Sequence, residues 1–138
     1  MPIAPQPLPH RLLLAATIAV TTVSITGCGS RHIPEVSSGR YLGPALTVDS
    51  SGPNHVLVLE APSGGYTLTI DRVLERSKSW DVFATIRTPD PRFLYTQSVV
   101  TLRALTPLAS TERLRICART LPADDKDDPA YPVALPLK

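Results

Sequence analysis

"YTLTIDRVLERSKSWDVFATIR", residues 66 to 87, decides the fold. Tyr66, Leu68 and Ile70 fall on one side of an extended chain, and Thr67, Thr69 and Asp71 fall on the other. That period of two is what a half-buried strand requires; a helix needs its apolar residues three and four apart. Trp80, Val82, Ala84 and Ile86 repeat the alternation and are expected to point inward. The intervening "DRVLERSKS" (71–79) has room for a single helical turn, yet it reads as a strand end plus a turn.

The same punctuation continues on both sides. "YLGPALTV" ends in the turn cluster "DSSGPN", "HVLVLE" (His55 to Glu60) is a compact strand, and "APSGG" is the next turn. Pro62 presets φ there, and Gly64-Gly65 is able to take the positive φ of a tight hairpin. Beyond "TPDPR" come "TQSVVTLRA" and "RLRICART", the second with Leu114, Ile116 and Ala118 on one face. Short strands with turns about every ten residues indicate an all-β unit. Each sheet must cover one apolar face, so residues 41–120 are expected to form a small antiparallel β-sandwich or barrel-like domain of five to seven strands. Fifteen prolines leave no long uninterrupted stretch for a helix.

The flanks read differently. Residues 28–40, including "GSRHIPEVSSGR", are polar and without period, as a flexible tether would be. Residues 121–138, "LPADDKDDPAYPVALPLK" from Leu121 on, form a Pro/Asp-rich tail whose prolines argue against regular structure, with room for "YPVALPL" to pack back as an edge segment. Calcium loops place their ligands at alternating positions and turn on a glycine. "DDKDD" has neither, and reads as a solvated acidic loop.

Composition narrows the function classes. A net charge of +2 with scattered basic residues does not suggest a polyanionic partner, and one tryptophan with four tyrosines builds no stacking platform, so no nucleic acid is expected. No His/Cys set has metal-ligand spacing, and no cofactor motif is present, so none of either is expected. A Ser–His–acid site needs a base near a nucleophile. Beyond residue 28 the histidines are His32, in the tether, and His55, which reads as a surface or strand-end residue. Cys117 alternates with Arg113, Arg115 and Arg119, whose charge would activate a thiol, but no base accompanies it. It reads as a small residue on a solvated strand face, and no enzyme activity is expected.

The first twenty-seven residues read as a secretory signal: Arg11, then the uncharged run Leu12 to Thr26, then Gly27. Fifteen helical residues cover only ~22 Å, short of the ~30 Å hydrocarbon core. Ile25-Thr26-Gly27-Cys28 resembles the bacterial lipobox. That resemblance implies cleavage between Gly27 and Cys28 and diacylglycerol on the Cys28 sulfur, which would leave Cys117 without a disulfide partner. It also implies a bacterial cell-envelope address, with Gly29 and Ser30 favouring the outer membrane facing the periplasm. Two acyl chains anchor stably where one is marginal.

A second resemblance lies in the body. Ser63-Gly64-Gly65-Tyr66, leading into an alternating strand, is similar to the Thr-Gly-Gly-Tyr of the C-terminal domain of the protease-complex subunit PrcB family. Pro89, Pro91, Thr96-Gln97, Val99-Val100 and Pro107 follow in a comparable order, so the likeness spans about Val56 to Ile116. It implies a non-catalytic, envelope-attached accessory protein that supports a partner such as a protease. Ala61 to Tyr66 also resembles the Asn-Pro-Thr-Thr-Gly-Tyr loop of chagasin-like cysteine protease inhibitors. Three functions thus stay open: an interaction module, an inhibitor using the Gly64–Tyr66 turn, and a structural envelope lipoprotein. For the first two, Ser63, Gly64, Gly65 and Tyr66 are the expected contact surface. Alternatively Tyr66 is core and the glycines serve the turn.

Overall fold

The alternation over residues 66 to 87 is realised as a pair of strands joined by the two residues Ser77 and Lys78. The structure is a computed structural model and describes residues 32–137. Its strands are β1 (Val36–Arg40), β2 (Ala45–Asp49), β3 (Asn54–Ala61), β4 (Thr67–Arg76), β5 (Ser79–Arg87), β6 (Val100–Ala109), β7 (Leu114–Leu121) and β8 (Tyr131–Leu135). They form a five-stranded sheet in the order β1-β8-β7-β5-β4 and a three-stranded sheet in the order β2-β3-β6. The all-β sandwich expected from the sequence is present, and "DRVLERSKS" is strand and turn, with no helix. The expected signal (1–27), Gly27, Cys28 and residues up to 31 lie outside the described residues.

Leu57, Leu59 and Ala61 of β3 face Val82, Ala84 and Ile86 of β5 and Ile116 and Ala118 of β7 across the inter-sheet space, all fully buried. Tyr66, Leu68 and Ile70 close the edge, half-buried against the same cluster. β5 is covered on its other face as well. Phe83 and Cys117 are fully buried beneath Tyr131, Val36, Leu74 and Val133, and the Phe83 and Tyr131 rings meet edge-on at 5.2 Å. Burying Phe83 there contributes about 2–3 kcal/mol.

Four expectations need correction. The sheets are not wholly antiparallel, because β5 and β7 run parallel, as do β1 and β8. The cause is topological: after β5 the chain crosses to the other sheet as β6, so its return as β7 repeats the direction of β5. There are eight strands, one more than the upper bound of the expected five to seven: six lie in the expected body, and each flank supplies one more. Val36–Arg40 of the expected tether is β1, and Tyr131–Leu135 of the expected tail is β8. Pro132 sits inside β8, next to irregular pairing on both neighbours, which is how a strand accommodates a residue without an N–H. Finally, the turn at Pro62–Gly65 is no hairpin. It carries the chain from β3 in one sheet to β4 in the other.

Candidate functional site: the two ends of the sandwich

The loops gather at two opposite ends. One end holds the β3–β4 corner (62–66), the β5–β6 connection (88–99) and the start of the β7–β8 connection. At this end the Gly64 N–H donates to the Thr96 carbonyl at 2.9 Å. Gly65 has φ +83°, and a Cβ placed on it would lie 2.5 Å from the Tyr95 ring. At Gly65 both the left-handed φ and the ring above it select glycine, whereas a Cβ on Gly64 would meet the Thr96 hydroxyl oxygen at 2.9 Å. Ser63 is half-buried with its hydroxyl donating to the Gly64 carbonyl, and Tyr66 packs on the core. The four expected contact residues are therefore contiguous, but the Tyr95–Thr96 segment lies over the glycines.

The connection that supplies this segment carries three of the seven exposed large apolar side chains among the described residues, two of them adjacent. Leu94 is 103% exposed and Phe93 63%, and Val99 is also exposed. The loop is held from below: Arg92 forms a fork on Asp90 (2.5 and 2.9 Å) and reaches Asp124 at 2.8 Å. Arg92 thereby holds the Asp90 carboxyl below its ordinary value. The same acidic stretch is tied elsewhere, since Asp128 pairs with Arg119 and the Asp125 carboxylate accepts from the Asp127 N–H. Two of the four aspartates thus serve arginines, and the loop is not simply solvated. Among the described residues no three His, Cys, Asp or Glu side chains gather as a metal ion would need.

The opposite end holds the β2–β3 turn, the β4–β5 turn and the β6–β7 turn. His55, expected as a surface or strand-end residue, stands at the start of β3 but is not at the surface, being only 5% exposed. The alternation of β3 turns it inward with Leu57 and Leu59. Its Nε2 lies 2.9 Å from the Glu112 carbonyl oxygen and its Nδ1 lies 2.7 Å from Ser50 Oγ. A carbonyl only accepts, so Nε2 carries the proton and Nδ1 accepts from the Ser50 hydroxyl. The pair lines a cleft of about 440 Å³, whose walls include Val48, Leu114 and Leu135. At the same end, outside the cleft, Asp81, 2% exposed, receives two bonds from Arg115 (2.9 and 2.7 Å) and one from Arg76 (2.8 Å). Burial pushes the Asp81 carboxyl up, but these guanidinium bonds outweigh it and hold it below its ordinary value.

Cys117 shares a face with Arg115 and Arg119, as its spacing indicates, but that face is not solvated. The thiol is fully buried, and burial pushes its pKa up despite the lowering influence of Arg115. Arg119 instead stacks over the Tyr131 ring at 4.2 Å and donates to Thr85. An activated nucleophile is thus absent at this position. Cys117 is a free thiol.

The chain matches no protein-family model, no curated protein and no solved structure. Sequence reasoning missed Phe93, Leu94, Ser50 and the cleft. His55 was legible in principle, since the alternation that buries Leu57 and Leu59 includes it. Phe93-Leu94 had only the signal of an apolar pair inside a proline-bounded loop.

Proposed function

We propose that this protein is a lipid-anchored module of the bacterial cell envelope that acts by contact, as an accessory to an envelope partner such as a protease. The lipobox at Cys28 supports the address and the PrcB-like stretch supports the role. One observation carries the contact surface: Leu94 is fully exposed and its neighbour Phe93 is exposed as well, on a loop bonded to the Gly64–Gly65 corner. Scattered single apolar residues on a surface are ordinary, whereas adjacent large ones on a braced loop are the anchors that protein interfaces bury. The rigid corner keeps the loop in place, so little ordering entropy is lost on docking. The contact surface is the corner and the loop together, with Phe93 and Leu94 as its anchors and Ser63 to Gly65 as its floor.

A photo-crosslinking residue at position 94, in intact cells, tests this. A discrete adduct is expected there and not from position 78 at the other end. Identical smears from both positions would remove the contact role. Separately, labelled palmitate should enter the wild type and not Cys28→Ser; an unlabelled wild type removes the anchor.

A further inference from the structure

From the cleft at the other end, we infer that Ser50 is a nucleophilic hydroxyl and that the cleft hydrolyses small esters with an apolar acyl group. Three features converge on this. The Ser50 hydroxyl sits at the exposed mouth, 2.7 Å from a buried imidazole nitrogen whose lone pair is free to take its proton. The other nitrogen is held by the Glu112 carbonyl at 2.9 Å, which fixes both the tautomer and the ring plane and would stabilise an imidazolium. This is the orienting function that a carboxylate serves in a triad, here performed by a backbone dipole. The His55 backbone is held too, because the buried Thr106 hydroxyl donates to its carbonyl at 2.8 Å.

The third feature is the cleft itself. Val48, Leu114 and Leu135 offer an apolar wall for a short acyl chain. Arg113 is the one Lys or Arg among the lining residues, and its guanidinium has no hydrogen-bond or ion-pair partner among the described residues. It is a charge available to the oxygen that becomes anionic when the carbonyl is attacked.

The chemistry balances with ester and water alone. Ser50 Oγ bonds to the acyl carbon as its proton passes to His55 Nδ1. The tetrahedral adduct collapses, the C–O bond to the alcohol breaks, and the alcohol leaves with that proton. Water then attacks the acyl-serine, giving its proton to Nδ1; Ser50 leaves with that proton, and a carboxylic acid departs. His55 ends neutral, as it began.

The test uses p-nitrophenyl butyrate turnover and a fluorophosphonate probe on the purified protein. We expect phosphonylation at Ser50 by peptide mass mapping, and turnover reduced by about 10²-fold or more in Ser50→Ala, which removes the nucleophile and leaves the positioned base nothing to activate. Ser50 is exposed and water at the cleft mouth can replace its bond to Nδ1, so this variant should fold, with at most a small fall in melting temperature. His55→Gln should lose both labelling and turnover; if it fails to fold, Ser50→Ala still decides. Label absent from Ser50, or Ser50→Ala turning over ester at the wild-type rate, overturns the inference. Leu94→Ser should leave turnover unchanged, which separates this site from the contact surface.

Discussion

At one end of the sandwich two large apolar side chains stand in water, while at the other end a histidine and an aspartate are buried. The strands between are the same strands, so the contrast belongs to the loops. At the Leu94 end the backbone supplies the order: Gly64 bonds to Thr96 and Gly65 lies under Tyr95, which leaves the apolar groups outward. At the His55 end the side chains supply it, through hydrogen bonds from Ser50 and to Glu112, and through the Arg76–Asp81–Arg115 cluster. Apolar groups left in solvent retain hydrophobic free energy to release on docking. Polar groups withdrawn from solvent must be paired internally. The first end is therefore suited to contact and the second to positioning a small molecule.

The contrast breaks most severely at Gly65. Gly65→Val puts a branched side chain at φ +83° and into the Tyr95 ring, with an expected loss of about 3 kcal/mol from left-handed strain and the displaced ring together. Urea unfolding should show the midpoint fall, and an unchanged midpoint would mean the corner is not braced as described.

Next comes Asp81→Asn at the polar end. Removing the charge leaves Arg76 and Arg115 facing a neutral amide, but their side chains are 49% and 33% exposed, so solvent relieves part of the cost. About 2 kcal/mol is expected. The pH dependence sharpens this. The folded carboxyl titrates below its ordinary value of 3.8, so its contribution is present above that pH and is lost as pH falls through the folded value. Acid melts of the wild type should steepen below about pH 4, and the variant should lack that part of the slope.

His55→Leu ranks third. It leaves the Glu112 carbonyl and the Ser50 hydroxyl without their partner, costing about 1–2 kcal/mol by thermal melt, offset in part because Ser50 can turn to water. Leu94→Ser should change stability by less than about 0.5 kcal/mol, since nothing is unburied. It should nevertheless abolish the position-specific crosslink when the crosslinker is moved to position 93, which locates the effect in binding and not in folding.

The strands of the body were legible because alternation is local. Tyr66 to Ile70, Trp80 to Ile86 and Leu114 to Ala118 each carry their own inward face, and a reader needs only neighbours two apart. The candidate contact surface was half legible: the glycine turn announces itself, yet the exposed pair beside it does not, since exposure in a loop depends on what the fold brings over it. Cys117 fails for the same reason. Its arginine neighbours suggest solvent, and only the arrival of Tyr131 and Val36 from the two flanks removes it from water.

By itself the sequence determined that the body of this chain is built of short strands with one apolar face each and that no helix interrupts them; the stretch before Gly29 resembles a lipobox. Tertiary structure alone decided that Pro62–Gly65 joins two sheets, that Val36–Arg40 and Tyr131–Leu135 complete the larger one, and that His55 meets Ser50 and Glu112. Alternation records which side of a strand faces inward, but not which strand lies beside it; pairing partners are chosen by the whole core at once, over separations that no local period encodes.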